Sequence, residues 1–234
     1  MSLARREFLK ATAAASGGLV IALHLPACGR KEAARGPTKI IQANAWLRIG
    51  TDDSITFLCD RSEMGQGVYT ALPLILAEEL GVRVPRIKVE FAPAGAAYTN
   101  QMLGSQITGG STSVRDAWQK LRLAGAQARR MLVAAAAREW HSPITGIRVQ
   151  DGVITSPRGK KLTFGQLAEA ASKLPVPQDV PLKDPSAFRV VGRPMKRLDT
   201  PPKVDGSARF GIDVRLPDML HGALAQPPTL GGKV

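Results

Sequence analysis

Alternation of apolar and polar positions predicts a two-stranded hairpin near residue 45 and a third strand over residues 86–93. A period of two is typical of strands with one buried face. Cys59 falls on such a face, so it is expected to be a small core residue and not a nucleophile. A turn at Asp52-Asp53 separates the first two strands. The alternating apolar residues are Trp46, Leu47, Ile49, Ile55, Phe57 and Cys59 in the hairpin, and Ile87, Val89 and Phe91 in the third strand.

Helical spacing of apolar residues predicts two long helices. The first covers residues 69–80 and ends at Gly81, a residue that readily adopts the left-handed conformation of a helix C-terminus. The second covers residues 111–140, with Ser111 or Ser113 as its N-cap, and its many alanines predict close packing against a sheet. Its apolar stripe is Val114, Ala117, Leu121, Ala124, Ala128, Leu132 and Ala135, and Arg115, Lys120, Arg122, Arg129 and Arg138 are expected to face solvent.

Shorter patterns complete an α/β (α+β) body, a mixed sheet with packed helices, over residues 44–174. An Asp-Gly pair at positions 151–152 predicts a hairpin turn, and a short helix is predicted over residues 164–172. Residues 175–185 contain four prolines and are interpreted as a linker. Residues 186–234 are expected to supply strands to a second, incomplete domain, whose open edges would favour aggregation.

Composition restricts the class of protein without deciding its function. The chain has 44% hydrophobic and 22% charged residues, as globular proteins do, and a formal net charge of +13. Its basic residues are scattered and form no aromatic-interleaved stripe, so nucleic acid is not an expected partner. His24, His141 and His221 are isolated and the two cysteines form no ligand set unaided, so no metal site made by protein ligands is predicted. No segment has the roughly 18 apolar residues needed to span a bilayer.

The first 28 residues are typical of a signal for export to the periplasm by the twin-arginine (Tat) route. Arg5-Arg6 precede Phe-Leu-Lys and a short uncharged apolar tract. Residues 25–28 are similar to a lipoprotein cleavage box that would lipidate Cys28 and attach the protein to a membrane, and a proline in the box leaves ordinary cleavage open. We expect residues 1–28 to contact the rest little, and residues 29–43 to form a linker.

The candidate chemistry lies where the second predicted strand meets the first helix, at residues 62–70. Gly65 and Gly67 flank Gln66 there, and glycines let a turn bring its main chain close to a ligand. Main-chain N–H groups and a carboxamide at a helix N-terminus favour phosphate or a polar heterocycle. An ordinary strand-to-helix turn is the alternative, since Gly-x-Gly turns are common. Glu63 beside the turn is interpreted as a structural partner of the helix dipole and not as a general base.

This turn and the segments after it resemble the molybdopterin-binding subunit of the xanthine oxidase (molybdenum hydroxylase) family, in the branch of the isoquinoline 1-oxidoreductase beta subunit. The similarity runs from about Asn44 to the last residue, and its second part resembles the start of the family's α/β hammerhead domain. The similar segments are Met64-Gly65-Gln66-Gly67-x-x-Thr70, Ala77-Glu78-Glu79-Leu80-Gly81, 87–91, Gly104-Ser105 and 109–113, followed for the hammerhead by 192–199, 203–213 and 216–222.

The resemblance implies a cofactor, molybdopterin cytosine dinucleotide with its molybdenum, held by main-chain and carboxamide groups. The cofactor-binding residues are then Gly65, Gln66, Gly67, Ser105 and Thr108, and no catalytic residue is assigned. It also implies an oxidoreductase that hydroxylates an N-heteroaromatic or aldehyde substrate with oxygen from water, as a hydroxylase or aldehyde dehydrogenase does. Electrons are expected to pass to a small subunit with a 2Fe–2S cluster, and a c-type cytochrome is a candidate acceptor.

Members of the family run several hundred residues further and carry their general base, a glutamate, in a later Gly-x-Gly-Glu segment that does not occur up to Val234. We therefore expect the chain to be the N-terminal part of such a subunit and to be inactive alone. Two alternatives stay open. One is a catalytically silent exported binding or assembly protein, and the other is a truncated fragment.

Overall fold

A four-stranded sheet lies in the first of two compact units, Met1–Leu198, of a computed structural model that describes residues 18–23 and 44–233. Its strands, in spatial order, are β1 (Gly18–Leu23), β2 (Asn44–Gly50), β3 (Ile55–Cys59) and β4 (Ile87–Phe91). β2 pairs antiparallel with β1 and with β3, and β3 pairs parallel with β4. The predicted hairpin and third strand are confirmed.

Two long helices cover this sheet. α1 (Val68–Leu80) connects β3 to the parallel strand β4, and α2 (Ser113–Glu139) follows a long loop after β4. α2 packs mainly against α1, and not across the sheet as predicted. The alanine-rich face does permit close packing, but its main partner is a helix. Gly125 lets the two helices approach closely, because a Cβ there would lie 2.5 Å from the carbonyl oxygen of Leu76.

A small antiparallel sheet and a capped helix complete the described secondary structure of the first unit. The sheet consists of β5 (Arg148–Gln150), β6 (Val153–Thr155) and β7 (Lys161–Thr163). The predicted Asp-Gly turn joins β5 to β6, and the predicted short helix is α3 (Phe164–Ser172). Thr163 and Gln166 form a capping box at its start, which satisfies two main-chain N–H groups.

The position of β1 contradicts the prediction that residues 1–28 make few contacts with the rest of the chain. It pairs with β2 and lies beside α3. The run Gly-Leu-Val-Ile-Ala-Leu suits a strand as well as an export signal, and it satisfies an edge of β2 that would otherwise stay open. The proposed signal residues Arg5 and Arg6 and the lipidation residue Cys28 lie outside the described residues.

Residues 175–198, called the strap below, lie against α1 and α2. Glu78 of α1 accepts hydrogen bonds from the three main-chain N–H groups of residues 189–191 at 2.6–3.1 Å. Its other carboxylate oxygen lies 2.7 Å from the Nζ of Lys183. Because Glu78 is only 1% exposed and has little contact with water, these donors are what stabilises its negative charge. The proline-rich residues 175–185, interpreted from sequence as a linker, thus belong to a segment that is fixed to the first unit.

Two basic residues of α2 that were predicted to face solvent are buried instead. Arg122 donates from Nε to Glu79 Oε1 at 2.8 Å, and Lys120 lies 2.7 Å from Asp116. Conversely, Val114 was predicted in the apolar stripe but is 44% exposed. Helical spacing places residues on a common face, but it does not determine which other segment covers that face.

The second unit, Asp199–Val234, contains the short helix α4 (Thr200–Val204) and a 3-10 turn, Gly211–Asp213. Its described residues form no strand, so the strands predicted from residue 186 onward are absent from the part of the chain that the structure describes. Large apolar side chains of this unit are exposed, with Leu220 at 93% and Leu224 at 83%. Among the described residues, no helix has the length and apolar character needed to cross a membrane.

Candidate functional site

The glycine turn between β3 and α1, residues 62–67, is built around the carboxylate of Glu63 and is called the first turn below. Glu63 Oε1 accepts hydrogen bonds from the main-chain N–H groups of Gly65 and Gly67, at 2.8 and 3.0 Å, and Oε2 accepts one from Tyr69 at 3.0 Å. Gly65 and Gly67 have φ values of 100° and 92°, which favour glycine. The carboxylate therefore occupies the N-terminus of α1, and its predicted structural role is confirmed.

Gln66 is exposed on the first turn and is held there by its own carboxamide. Its Oε1 accepts from the main-chain N–H of Met64 at 2.6 Å, and its Nε2 donates to the carbonyl oxygen of Ser62 at 2.8 Å. A carboxamide has two N–H donors and two acceptor lone pairs. One donor and one acceptor position therefore remain for a ligand, on a side chain that is already oriented.

A second glycine-containing segment, residues 99–112, lies beside the first turn and is called the second loop below. The hydroxyl of Thr108 accepts a hydrogen bond from the main-chain N–H of Ser62 at 2.9 Å, which joins the two segments directly. Ser105 is exposed on the same loop. All five predicted cofactor-binding residues thus lie on these two adjoining segments.

Asn100 organises the second loop from within. It is fully buried, its Nδ2 donates to the Thr112 hydroxyl at 2.7 Å, and its main-chain N–H donates to the carbonyl oxygen of Ser105 at 2.9 Å. Thr112, and not Ser111 or Ser113, is the N-cap residue of α2. Its hydroxyl faces Asn100 and Gly109 instead of the helix, so it connects the helix start to the loop.

A buried network of charged side chains adjoins both segments. The guanidinium of Arg61, which is 1% exposed, contacts Asp60 at 2.8 Å and Asp116 at 2.5 Å, and Lys120 lies 2.7 Å from Asp116. Asp116 also accepts a hydrogen bond from the main-chain N–H of Gln101 at 2.9 Å. Burial raises the pKa of Asp60, and the neighbouring Arg61 offsets this only in part. Through Asp116 the network fixes the second loop to the end of β3.

Four of the five glycines of the two segments have open space where a side chain would project. A Cβ added at Gly65, Gly67, Gly104 or Gly109 would meet no atom within 4 Å. Apolar side chains beside them are exposed, among them Met64 at 70% and Met102 at 46%. An oriented carboxamide, uncovered glycines and apolar side chains together suit a flat polar heterocycle. The phosphate seat predicted at the N-terminus of α1 is not available, because the Glu63 carboxylate already binds the N–H groups of Gly65, Gly67 and Tyr69 there.

Neither a cysteine nor a cluster of metal ligands supplies another site in the described part of the chain. Burial raises the pKa of Cys59 to about 12, so its thiol stays protonated, and at 2% exposed it is the core residue that was predicted. No group of three His, Cys, Asp or Glu side chains that could hold a metal ion occurs among the described residues.

Three residues that stabilise the site were missed by the sequence analysis: Asn100, Asp116 and Arg197. Asp116 stands four residues before Lys120, a helical spacing that could have indicated an ion pair. Asn100 shows no comparable local pattern. Arg197 donates from its guanidinium to the carbonyl oxygen of Gly65 at 2.6 Å across 132 residues of sequence, a contact that only the fold creates.

A family model described as the molybdopterin cofactor-binding domain matches residues 3–212 of this chain. The chain belongs to this family. It is a molybdopterin-binding domain of the molybdenum hydroxylase family, and the oriented carboxamide and open glycines of its two segments fit the family's cofactor. The residues predicted to hold it are Gly65, Gln66 and Gly67 at the first turn, and Ser105 and Thr108 at the second loop.

Curated relatives of this molybdopterin-binding domain are considerably longer proteins. The beta subunit of isoquinoline 1-oxidoreductase from Brevundimonas diminuta is 32% identical, and the match covers 82% of this chain and 29% of that protein. The B subunit of nicotinate dehydrogenase from Pseudomonas putida is 32% identical, with coverage of 80% and 15%. A membrane-bound aldehyde dehydrogenase [pyrroloquinoline-quinone] of Gluconacetobacter polyoxogenes is 34% identical, with coverage of 81% and 25%. The chain thus spans less than a third of the length of each.

Two solved structures are similar over part of the chain. Quinoline 2-oxidoreductase from Pseudomonas putida 86 is 21% identical with a TM-score of 0.42, and the match covers 53% of this chain and 15% of that one. CO dehydrogenase from Oligotropha carboxidovorans is 22% identical with a TM-score of 0.41 and the same coverage.

Proposed function

We propose that this chain holds the molybdenum cofactor, in the cytosine dinucleotide form, between its first turn and its second loop as part of an exported molybdenum hydroxylase. When bound, the cofactor supplies the redox chemistry for hydroxylating an N-heteroaromatic or aldehyde substrate with oxygen from water. A small partner subunit with a 2Fe–2S cluster accepts the electrons, and a c-type cytochrome is the onward acceptor. The substrate class is supported by the names of the relatives, which act on isoquinoline, nicotinate and aldehydes.

The observation that carries the proposal is the orientation of the Gln66 carboxamide and its remaining hydrogen-bonding capacity. Two internal hydrogen bonds orient its carboxamide, and one donor and one acceptor position remain toward solvent. The edge of a pterin has both hydrogen-bond donors and acceptors, so one carboxamide can accept from the first and donate to the second. The glycines on either side leave the space that a ring needs to approach the main chain.

The two segments bind and orient, but they do not supply a general base. Glu63 is the only carboxylate in residues 62–67 and 99–112, and these contain no histidine. Its two oxygens are engaged by the main-chain N–H groups of Gly65, Gly67 and Tyr69. Proton transfer in the reaction is therefore assigned to residues outside both segments.

The direct test is the cofactor content of Gln66→Ala in the full chain, purified from cells that synthesise the cofactor. Molybdenum is measured by mass spectrometry, and the nucleotide is identified as CMP or GMP after acid hydrolysis. Loss of the carboxamide should remove about 1–3 kcal/mol of cofactor binding, the usual contribution of buried polar partners. Molybdenum retained after dilution should fall accordingly, and the nucleotide of the unaltered protein should be CMP.

Gln178→Ala is the matched control, because Gln178 is also an exposed carboxamide with a local hydrogen bond, to the carbonyl oxygen of Val176 at 3.2 Å. It should retain the molybdenum content of the unaltered protein. Equal retention in Gln66→Ala and Gln178→Ala would contradict the assignment of the first turn.

Export is tested separately from the cofactor. Replacing Arg5 and Arg6 by lysine in a tagged precursor should abolish transfer to the periplasm, because the twin-arginine route requires the arginine pair. Fractionation of cells followed by detection of the tag measures this. Normal periplasmic accumulation of the variant would refute export by this route.

A further inference from the structure

Arg197, near the end of the strap, contacts the first turn at two points. One guanidinium nitrogen donates to the carbonyl oxygen of Gly65 at 2.6 Å, and the other lies 3.1 Å from Glu63 Oε1. The side chain of Glu63 is 8% exposed and that of Arg197 is 37% exposed, so the pair is partly shielded from water. A planar guanidinium can serve a carbonyl and a carboxylate at once, which a lysine ammonium cannot do with the same geometry.

The strap brings Arg197 to this position because it is attached to α1 on either side of the loop that carries it. Upstream, Glu78 accepts the main-chain N–H groups of residues 189–191. Downstream, the N–H of Leu198 donates to the hydroxyl of Thr70 at 3.0 Å. Glu78 and Thr70 both lie in α1, which begins at the first turn. The turn and the strap are therefore held by the same helix.

The first turn needs such support because of its composition. Gly65 and Gly67 have high conformational entropy when free, and both are held at positive φ. What holds them is the Glu63 carboxylate, which gathers the N–H groups of Gly65, Gly67 and Tyr69. The guanidinium of Arg197 compensates the charge of that carboxylate and donates a hydrogen bond to the Gly65 carbonyl oxygen. The N–H groups of the turn are thus bound by Glu63, and one of its carbonyl groups is bound by Arg197.

We propose that Arg197 is a positioning residue for the cofactor site: it fixes the shape of the first turn and so makes cofactor retention depend on the strap. Arg197 does not touch the ligand, but acts through Glu63 and Gly65. Its link to the cofactor rests on the proposed function, whereas its effect on the turn can be measured without any cofactor.

The experiment compares Arg197→Ala with Arg193→Ala in the full chain. Arg193 is exposed on the same strap, and its side chain makes no hydrogen bond or ion pair within the described residues. Hydrogen–deuterium exchange is followed at the amides of Gly65, Gly67 and Tyr69 in cofactor-free protein. Arg197→Ala should raise exchange there by about tenfold, the factor that corresponds to one charge-assisted hydrogen bond lost on opening. Arg193→Ala should leave exchange unchanged, and exchange in the middle of α2 should be unchanged in both.

Molybdenum content is the second readout. Arg197→Ala should lose several times more molybdenum on dilution than Arg193→Ala, and Arg197→Lys should fall between them, since it keeps the charge but loses one of the two contacts. If Arg197→Ala unfolds the whole domain, hydrogen–deuterium exchange is measured in Arg197→Lys instead. Exchange that is faster than in the unaltered protein only at the first turn supports the proposal, and unchanged exchange there overturns it.

Equal exchange at the first turn in Arg197→Ala and Arg193→Ala would also overturn the proposal. Faster exchange at the turn with undiminished molybdenum retention would overturn the link to the cofactor. If the unaltered protein binds no molybdenum at all, the proposed function fails, while exchange at the first turn still decides the structural role of Arg197.

Discussion

Glycine has opposite uses in two regions of this domain. At the interface between α1 and α2, Gly125 has no room for a side chain, because a Cβ would lie 2.5 Å from the Leu76 carbonyl oxygen. At the first turn, Gly65 and Gly67 have nothing within 4 Å of the same position. The first glycine permits two helices to approach, which is a requirement of the fold. Gly65 and Gly67 leave the main chain of the first turn accessible to solvent, and no packing contact of the fold requires this.

The polar residues show the same contrast. Asp116 is 8% exposed and pairs with Arg61 and Lys120, so it belongs to the interior. Gln66 is exposed and its carboxamide has unused hydrogen-bonding positions. Substitutions in the interior should therefore reduce stability first. Substitutions in the first turn should reduce ligand retention with little loss of stability.

The largest expected effect is that of Asp116→Asn. It removes the anion that Arg61 and Lys120 share, and leaves buried positive charge with less compensation. The free energy of unfolding should fall by about 3–5 kcal/mol, as when one partner of a buried ion pair is removed. Denaturant unfolding measures this, and Asp179→Asn, at an exposed carboxylate, should stay within about 0.5 kcal/mol of the unaltered protein. A comparably small change for Asp116→Asn would show that the network is not a structural element.

Gly125→Ala should also lower the free energy of unfolding. The new Cβ must displace the main chain of α1, and overpacking of this kind costs about 1–3 kcal/mol. The higher helix propensity of alanine, worth about 1 kcal/mol, opposes this loss only in part. Gln119→Ala, on the exposed side of the same helix, is the control for propensity alone. If Gly125→Ala is as stable as Gln119→Ala, the helices are less closely packed than the structure shows.

The strap gives a pH-dependent test. Burial raises the pKa of Glu78, but hydrogen bonds from Lys183 and from the N–H groups of residues 189–191 outweigh it, so the pKa lies below its ordinary value of 4.5. Such a carboxylate stabilises the native state above its unfolded pKa, and the contribution is lost as the pH falls through the folded pKa. The free energy of unfolding should thus decline below about pH 4.5 more steeply in the unaltered protein than in Glu78→Gln.

The exposed Glu139 provides the control for the strap. At neutral pH, Glu139→Gln should stay within about 0.5 kcal/mol of the unaltered protein, whereas Glu78→Gln should be less stable by about 1–3 kcal/mol, through weaker acceptance of the strap's hydrogen bonds. Parallel profiles for the unaltered protein and Glu78→Gln would show that the strap is held by other contacts.

The sequence predicted those features that depend on neighbouring residues. The helix that became α1, the Asp-Gly hairpin and α3 each follow from periodicity or turn chemistry within a few residues, and the structure shows all three. The turn of Gly65 and Gly67 was recognised in the same way. The burial of Lys120 and Arg122 was not predicted. Spacing along a helix does not reveal that other segments, here the second loop and the strap, cover these two side chains.

The long-range contacts of the site were also beyond sequence reasoning. Arg197 reaches Gly65 across 132 residues, and Ser62 reaches Thr108 across 46. Only the packing of the strap and of the second loop on α1 and α2 brings these residues together. The resemblance to a known family predicted a set of cofactor-binding residues, but not the residues that hold that set in place.

One pair of variants tests most directly whether the open space at the first turn receives a ligand. Gly67 and Gly159 have similar positive φ values, 92° and 83°, and neither has an atom within 4 Å of the position that a Cβ would take. Gly67→Ala and Gly159→Ala should therefore carry the same conformational strain, about 1–2 kcal/mol in the free energy of unfolding. Molybdenum per protein is then measured in both variants, purified in parallel. Gly159→Ala should have normal molybdenum content and Gly67→Ala should show a severe loss, whereas equal content in the two would contradict a ligand role for the first turn.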